Sequence, residues 1–438
     1  MSRKFPRKQK FALHLFTMLV IAFSTIDCLG QGNQLCDNKI VTNTRRSQQV
    51  SGDTVFPGNS PADDNPFPES EFKFELDDDQ EDLQTIFSID SIYTGEVFNN
   101  ARGGISTNGA TQYQGLLDLV LSVDLGQSRI PLPGKFAMLV QNTQGRGLTS
   151  DFIGDTQVIS NIDTGDNIMQ VSEYWWEFGL LEENITVRLG KQDLNSEFLL
   201  MDLAAEFIQS SFGLSPSEGF PSYPDPSMAA VLLAQLRPSL QMKIGVWDGF
   251  ANGGSWGFSD NDLVYFFTEI ESKYAVKREM LKGAWSIGFG FSTEGELNGI
   301  YRPFGYGFYF QLEQLVYREN PFDDEDDQGL GFFVSYFPKY SSGAIALSAI
   351  EESFVGGIVY RGLIPGRDAD VIGGGVAWAE LNQGGTNQET VAEAFYKLQV
   401  SPSFSVKPDI QYIASPSGVH PDALAVGFRF QWTPNIAK

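Results

Sequence analysis

Cysteine, histidine, basic residues and long apolar runs are all scarce in this sequence of 438 residues. Its two cysteines cannot build a disulfide scaffold or a cysteine-rich zinc site, and its two histidines exclude a multi-histidine metal site. We therefore expect no metal and no cofactor. With 30 Lys and Arg against 55 Asp and Glu, the net charge is -25, which argues against a nucleic-acid partner because phosphate binding requires clustered cations.

Candidate catalytic groups are equally few. His14 lies in a segment that we expect to be removed, so His420 alone is left as the base of a Ser-His-Asp site. The glycines at 373–375 lie in a strand pattern without a following helix, so they are not a phosphate loop. Two scattered carboxylates could serve a glycosidase only at a defined separation. The sequence therefore predicts a protein that is not an enzyme.

The first 80 residues contain two segments that do not belong to the folded domain. Residues 1–30 are typical of a signal peptide, because five basic residues precede an apolar run at 11–23 that is shorter than the roughly 20 residues of a membrane helix. We expect cleavage near Gln31 and export. Residues 31–80 are polar and rich in turn formers, so we predict a mostly disordered lead-in.

Residues 81–438 alternate between apolar and polar positions with a period of two. In residues 117–125 every odd position is apolar, while Asp118, Ser122 and Asp124 occupy even ones, and about sixteen segments repeat the pattern. After the signal no stretch offers 18 consecutive apolar residues, so a closed barrel is the only structure that could span a bilayer. The predicted fold is an all-β, transmembrane, antiparallel up-and-down β-barrel of about 16 strands.

A secreted β-sandwich, acting as a lectin or a glycosidase, would produce the same alternation. The length of the segments and the charged residues on their polar faces favour the barrel. Aromatic residues near the segment ends also favour it, since membrane barrels carry aromatic girdles; they are Tyr174, Trp175, Trp176, Tyr265, Tyr301, Trp378 and Trp432.

Several segments, in order along residues 85–432, resemble the OprB-type carbohydrate-selective porins of Gram-negative outer membranes. They are EYWWEF at 173–178, ITVRLGKQDLN at 185–195, FIQSSFG at 207–213, FPSYP at 220–224, GVWDG at 245–249, GLGFF at 329–333, YRGLIPGRDAD at 360–370 and VKPDIQYI at 406–413. The resemblance implies a 16-stranded barrel in the outer membrane, in contact with its lipid, through which sugars diffuse passively. A homo-oligomer is possible. A general or ion-selective porin on the same barrel is the alternative function.

A channel that favours sugars needs paired hydrogen-bond donors and acceptors, because a sugar is neutral and rich in hydroxyl groups. The alternation places charged residues on the lumen face: Asp118, Asp124, Arg188, Lys243, Glu269, Lys282, Glu313, Asp409 and Arg429. As solute-binding candidates we take Arg188, Lys191, Asp193, Glu173, Lys243, Asp409 and Arg429, with the first four at the constriction. The alternative is that these charges pair with one another or only solvate the wall.

Two loops bear on the function of this channel. The segment from Gln192 to Pro226, which contains a helix-like stretch at 198–212, is a long loop that could fold inward and narrow the channel. The acidic run at 323–327 lacks the distal Glu of a calcium loop and is interpreted as a solvated loop tip. If the lumen shares the acidic excess of the chain, a mild cation preference follows.

Overall fold

The structure, a computed structural model, describes residues 87–126, 132–214, 221–249, 263–276, 281–297, 300–302, 304–320, 327–338, 350–381 and 385–434. The predicted signal peptide, the lead-in at 31–80 and all of the acidic run except Asp327 lie outside these residues. Within the described part of the chain, no helix combines the length and the apolar character needed to cross a membrane.

Eighteen strands are present in the described residues. In chain order they are β1 (Phe87–Arg102), β2 (Thr111–Asp124), β3 (Lys135–Gly145), β4 (Met169–Leu180), β5 (Ile185–Gln192), β6 (Ser227–Arg237), β7 (Leu240–Asp248), β8 (Val264–Val276), β9 (Leu281–Ser292), β10 (Gly295–Leu297), β11 (Ile300–Arg302), β12 (Gly305–Arg318), β13 (Gly329–Phe337), β14 (Ile350–Arg361), β15 (Val371–Leu381), β16 (Gln388–Ser401), β17 (Phe404–Ala414) and β18 (Ala423–Trp432).

Sixteen of these strands form one closed antiparallel barrel, and β10 and β11 form a separate two-stranded sheet. Each barrel strand pairs with its neighbours in chain order, and the barrel closes where β1 pairs with β18, with Tyr93 opposite Trp432. The predicted barrel of about 16 strands is confirmed. The sandwich alternative is wrong, because a single sheet closes on itself instead of packing against a second layer.

The two faces of the barrel wall have the orientation that the alternation predicts. On β12 the outward side chains of Tyr306, Phe308 and Phe310 are exposed in the isolated chain, whereas Gln311 and Glu313 face inward and are buried. Other strands repeat the arrangement, so large apolar side chains cover the outside and many polar ones line the inside. Such a wall suits lipid outside and water inside.

Two segments between strands fold into the barrel. The first inner loop (residues 146–168) joins β3 to β4 and contains one π-helical turn, at Thr149–Ile153. The second inner loop (residues 193–226, described at 193–214 and 221–226) joins β5 to β6 and contains short helical turns at Leu194–Ser196, Ala204–Glu206 and Ser210–Gly213. The helix-like stretch at 198–212 is therefore part of a loop, as predicted.

Apolar clusters lie between the inner wall and these loops. In one, Phe198 of the second inner loop packs against Trp247 of β7 and Phe267 of β8. In another, Phe207 packs against Phe333 of β13 and Phe395 of β16. The core of the molecule is therefore inside the barrel, where the loops bury apolar residues that would otherwise face the lumen.

Two aromatic residues that the sequence assigned to girdles face the interior instead. Trp175 and Tyr265 are both buried among inward-facing groups. In β4 a register shift against β3 leaves Ser172 and Glu173 both buried, which turns the following odd positions inward. In β8 Tyr265 shares its face with Glu269. Trp378 and Trp432 lie on the outward face.

Candidate functional site

The predicted solute-binding residues fall into two groups on the inner wall. Glu173, Arg188, Lys191 and Asp193 lie on or next to the β4–β5 hairpin, with Lys243 two strands further along on β7. The second group is Asp409 on β17 and Arg429 on β18. Apart from Asp193, which follows the end of β5 and is partly buried, all of them are buried. The alternation thus identified inward positions correctly, but the residues do not form one cluster.

Arg188 is held by protein groups on several sides. Its guanidinium binds Glu177 of β4 at 2.7 Å and Glu197 of the second inner loop at 2.7 Å. The same guanidinium lies over the Trp175 ring, 4.2 Å from the centroid. Because Glu197 belongs to the loop and Arg188 to the wall, this contact fixes the beginning of the second inner loop.

Two of three further candidates hold the base of that loop, and the third joins β5 to β4. Glu173 accepts a hydrogen bond from the Asp193 backbone at 3.2 Å. The Asp193 carboxylate in turn accepts from the backbone amides of Asn195, at 2.7 Å, and Tyr223, at 2.9 Å, which joins the two ends of the loop. Burial raises the pKa of Asp193 above its usual value. Lys191 donates to the Val171 carbonyl at 3.2 Å.

Lys243 connects the wall to both a carboxylate pair and the loop. Its ammonium group binds Glu269 at 2.9 Å, Glu271 at 2.7 Å and the Glu197 carbonyl at 2.8 Å. An ammonium group has three hydrogens, so these contacts use its full donor capacity.

The second group attaches the first inner loop to the opposite part of the wall. The Arg429 guanidinium pairs with Glu96 of β1 and donates to the side chain of Asn161 at 2.5 Å. Glu96 also accepts from Ser160 at 2.7 Å. Asp409 accepts from Gln411, whose amide also binds the Ile159 carbonyl. In this group Arg429 therefore pairs with a carboxylate, whereas Asp409 binds a neutral amide, and solute contact by either residue stays a prediction.

Wall carboxylates that bind loop backbone are the feature that sequence reasoning largely missed. Glu269 accepts from Leu199 at 3.1 Å and Glu313 accepts from Leu203 at 3.1 Å. Glu393 on β16 accepts from two consecutive amides, at 2.7 and 3.0 Å. Glu389, also on β16, accepts from two consecutive backbone amides of the first inner loop, at 2.8 and 2.9 Å. The alternation of β16 could have placed Glu389 and Glu393 inside, but not their partners.

A cavity of about 160 Å³ remains between the second inner loop and the wall from β7 to β12. Its polar lining mixes donors and acceptors, with side chains of both charges and amides; the residues are Glu197, Asp202, Gln241, Lys243, Glu271, Lys273, Ser286, Gln311 and Glu313. Leu200 and Met201 add an apolar surface from the loop. Lys243 is the predicted candidate that reaches this cavity. Of the other predicted lumen charges, Asp118 binds Gln141, whereas Asp124 lies exposed at the end of β2.

A closed 16-stranded barrel, apolar outside and narrowed inside by loops over a charged wall, defines a porin. Residues 108–433 match the family described as carbohydrate-selective porin, OprB family. The chain belongs to this family.

The individual proteins that resemble this chain share only a low sequence identity with it. The chain is 22% identical over 396 residues to Porin B of Pseudomonas aeruginosa, covering 77% of this chain and 86% of that protein. A high-pH structure of OprB from Pseudomonas putida superposes with a TM-score of 0.68 at 18% identity, covering 80% of this chain and 94% of that one. A low-pH structure of the same protein gives 0.53 at 17% identity, with coverages of 80% and 93%. At these identities the structures bear on the fold alone.

Proposed function

We propose that this protein is an outer-membrane porin through which carbohydrates and other small solutes diffuse passively. The observation that carries the proposal is the cavity beside the second inner loop, where Lys273, Gln241 and Asp202 offer donors and acceptors next to apolar Leu200. Such a mixture matches the hydroxyl groups and C–H faces of a sugar. Family membership supports the same solute class, and fold and family together indicate a channel rather than an enzyme.

Weak binding is the expected mode of action. Several of the charged groups that line the cavity already bind one another, as Lys243 and Lys273 do with Glu271. A passing sugar can therefore exchange hydrogen bonds with them but gains little net free energy, so it is released readily. Solute contact stays a prediction for all seven candidates: Arg188, Lys191, Asp193, Glu173, Lys243, Asp409 and Arg429. Except for Lys191 and Asp409, which bind wall groups, these residues contact the inner loops, and this supports a role in holding the loops.

Liposome swelling with the purified protein tests this proposal. We expect swelling in isotonic monosaccharide solutions, slower swelling with disaccharides and little with larger oligosaccharides. A general porin would admit uncharged solutes according to size alone, so comparing a hexose with a polyol of equal radius separates the two functions. Equal rates for the matched pair would support the general porin.

The location is tested separately. We expect the protein in the outer-membrane fraction of its host, and a shift in gel mobility on boiling in SDS. Recovery in the soluble fraction would contradict the outer-membrane assignment. Association into homo-oligomers stays a prediction that crosslinking of the membrane fraction can check.

A further inference from the structure

Glu206, in the second inner loop, is a charged side chain that contacts several wall strands. It is 2% exposed, and its carboxylate lies 3.2 Å from the ammonium of Lys397, 3.5 Å from that of Lys407 and 3.9 Å from the guanidinium of Arg361. The Lys407 ammonium also donates to the backbone carbonyl of Glu206. These three cations belong to β16, β17 and β14, so one loop residue bridges three strands.

We propose that Glu206 is a positioning residue that holds the middle of the second inner loop against the wall and thereby sets the size limit of the passage. The inference rests on the proposed function, because a size limit has meaning only for a channel that conducts solutes. The inference goes beyond the proposed function, because it assigns the size selectivity to a residue that lies away from the cavity.

The neighbouring contacts make the loop's position depend on this residue. Directly after Glu206, Phe207 stacks on Phe212 and packs edge-on against Phe333 and Phe395. The next amides donate to Glu393. Charge pairing and apolar packing thus meet within four consecutive loop residues, 206–209.

The electrostatics favour a fixed, ionised carboxylate. Burial alone would raise the pKa of Glu206, but Lys397, Lys407 and Arg361 outweigh it and hold the pKa below its usual range. Neutralising the carboxylate would leave buried cations without this counter-ion, and removal of one member of a buried ion cluster is strongly destabilising. Arg361 keeps a second partner in Asp327, at 3.2 Å.

The size limit follows if the cavity beside this loop is part of the passage, as the proposed function has it. Leu200 and Asp202 line the cavity opposite Lys273 and Gln241, and they precede Glu206 by only a few residues. A loop held at Glu206 presents a fixed edge to a solute. A loop released there yields to larger solutes and fluctuates within the lumen.

The test compares Glu206→Gln with Glu319→Gln, a matched loss of one carboxylate at an exposed position after β12. For Glu206→Gln we expect the trisaccharide-to-monosaccharide ratio of swelling rates to rise about twofold, with a similar rise in open-channel current noise. Glu319→Gln should match the unmodified protein. Heat-modifiability on a gel confirms that each variant is folded.

A folded Glu206→Gln protein with unchanged ratio and noise would overturn the inference, as would a rate reduced equally for sugars of all sizes. If this variant does not fold, Glu393→Gln tests the same attachment, since it weakens the acceptor of the Ile208 and Gln209 amides. We expect the trisaccharide-to-monosaccharide ratio to rise in this variant too, but by less than in Glu206→Gln. An unchanged ratio would again overturn the inference. Absence of sugar transport by the unmodified protein would instead contradict the proposed function.

Discussion

Gly375 shows how a single residue on the inner wall makes room for a loop. A Cβ atom there would lie 2.6 Å from a ring carbon of Phe212 and 3.0 Å from one of Phe207. Gly375→Ala therefore forces the stacked pair of rings away from β15, and overpacking of this kind costs about 1–3 kcal/mol. We expect a lower temperature for the gel mobility shift of the variant.

The neighbouring residue supplies the control for this substitution. At Gly374, on the other face of β15, a Cβ atom would meet only the Glu393 carbonyl, at 3.6 Å, which is ordinary contact. Gly374→Ala should therefore leave the transition temperature unchanged. If the two variants behave alike, the packing of the rings against Gly375 does not stabilise the barrel.

We expect the carboxyl group of Asp155, in the first inner loop, to make the stability of the folded protein depend on pH. Burial and the nearby Glu389 carboxylate raise the pKa of Asp155 to about 8. In the unfolded chain the pKa of an Asp is about 4. Between about pH 4 and about pH 8 the folded state therefore retains a proton on Asp155 that the unfolded state has lost. Stability from this group therefore falls as pH rises from about 4 to 8. Asp155→Asn, which stays neutral, should remove this fall.

Melting in detergent at pH 5 and pH 8 measures the effect. We expect the unmodified protein to lose more thermal stability over this interval than Asp155→Asn does. Asp166→Asn, at an exposed site of the same loop, serves as the control and should follow the unmodified protein. An identical pH response of the Asp155 variant would show that this carboxyl does not titrate in the interval.

The identity of the inward residues was readable from sequence, but their partners were not. Alternation alone placed Arg188, Lys243, Asp409 and Arg429 inside, because a strand turns successive side chains to opposite faces. Arg429, however, binds Asn161, 268 positions away along the chain. Pairings over such distances depend on how the loops fold, and no local pattern encodes that.

At the scale of elements, strands were predictable and inner loops were not. Strands follow a rule of period two, whereas the second inner loop consists of short irregular turns held by tertiary contacts. One signal does remain in the sequence. On β13 both faces are apolar, since Phe333 and Phe337 point inward while Phe332 and Tyr336 point outward. Inward aromatic residues in a barrel strand indicate a loop packed inside.

The orientation of the strands predicts opposite responses to a new charge on the two faces. Phe308 on β12 points outward and is 49% exposed in the isolated chain. If it faces lipid, Phe308→Arg costs about 2–4 kcal/mol near the bilayer midplane. We therefore expect less folded protein in the membrane fraction.

Gln241→Arg is the matched control, because Gln241 lines the cavity on the inner face. A polar lumen tolerates an added charge, so this variant should assemble normally and alter only conduction. Assembly of both variants at the level of the unmodified protein would argue that the outer face does not meet lipid.

At the scale of the whole molecule, the contacts that form the barrel wall differ from the contacts that shape its interior. The outer wall and strand pairing are repetitive, whereas the two inner loops attach to the wall at discrete carboxylates such as Glu269, Glu313 and Glu393. These attachments, together with the apolar clusters between loops and wall, determine the shape of the barrel interior. This explains why the fold was easier to predict than the candidate site.

Net charge is the last property of the whole molecule that bears on passage. The cavity beside the second inner loop is lined by four carboxylates, Glu197, Asp202, Glu271 and Glu313, but by only two ammonium groups, Lys243 and Lys273. If this cavity is a narrow point of the proposed channel, its acidic excess attracts cations, and we then expect a potassium-to-chloride permeability ratio of about 2–5. Reversal potentials under a KCl gradient measure this ratio.

Asp202→Asn should lower the permeability ratio, whereas Asp368→Asn, at an exposed position between β14 and β15, should not. A chloride preference of the unmodified channel would mean that the cavity charges do not control ion passage, and the cations bound around Glu206 would then be the groups to examine.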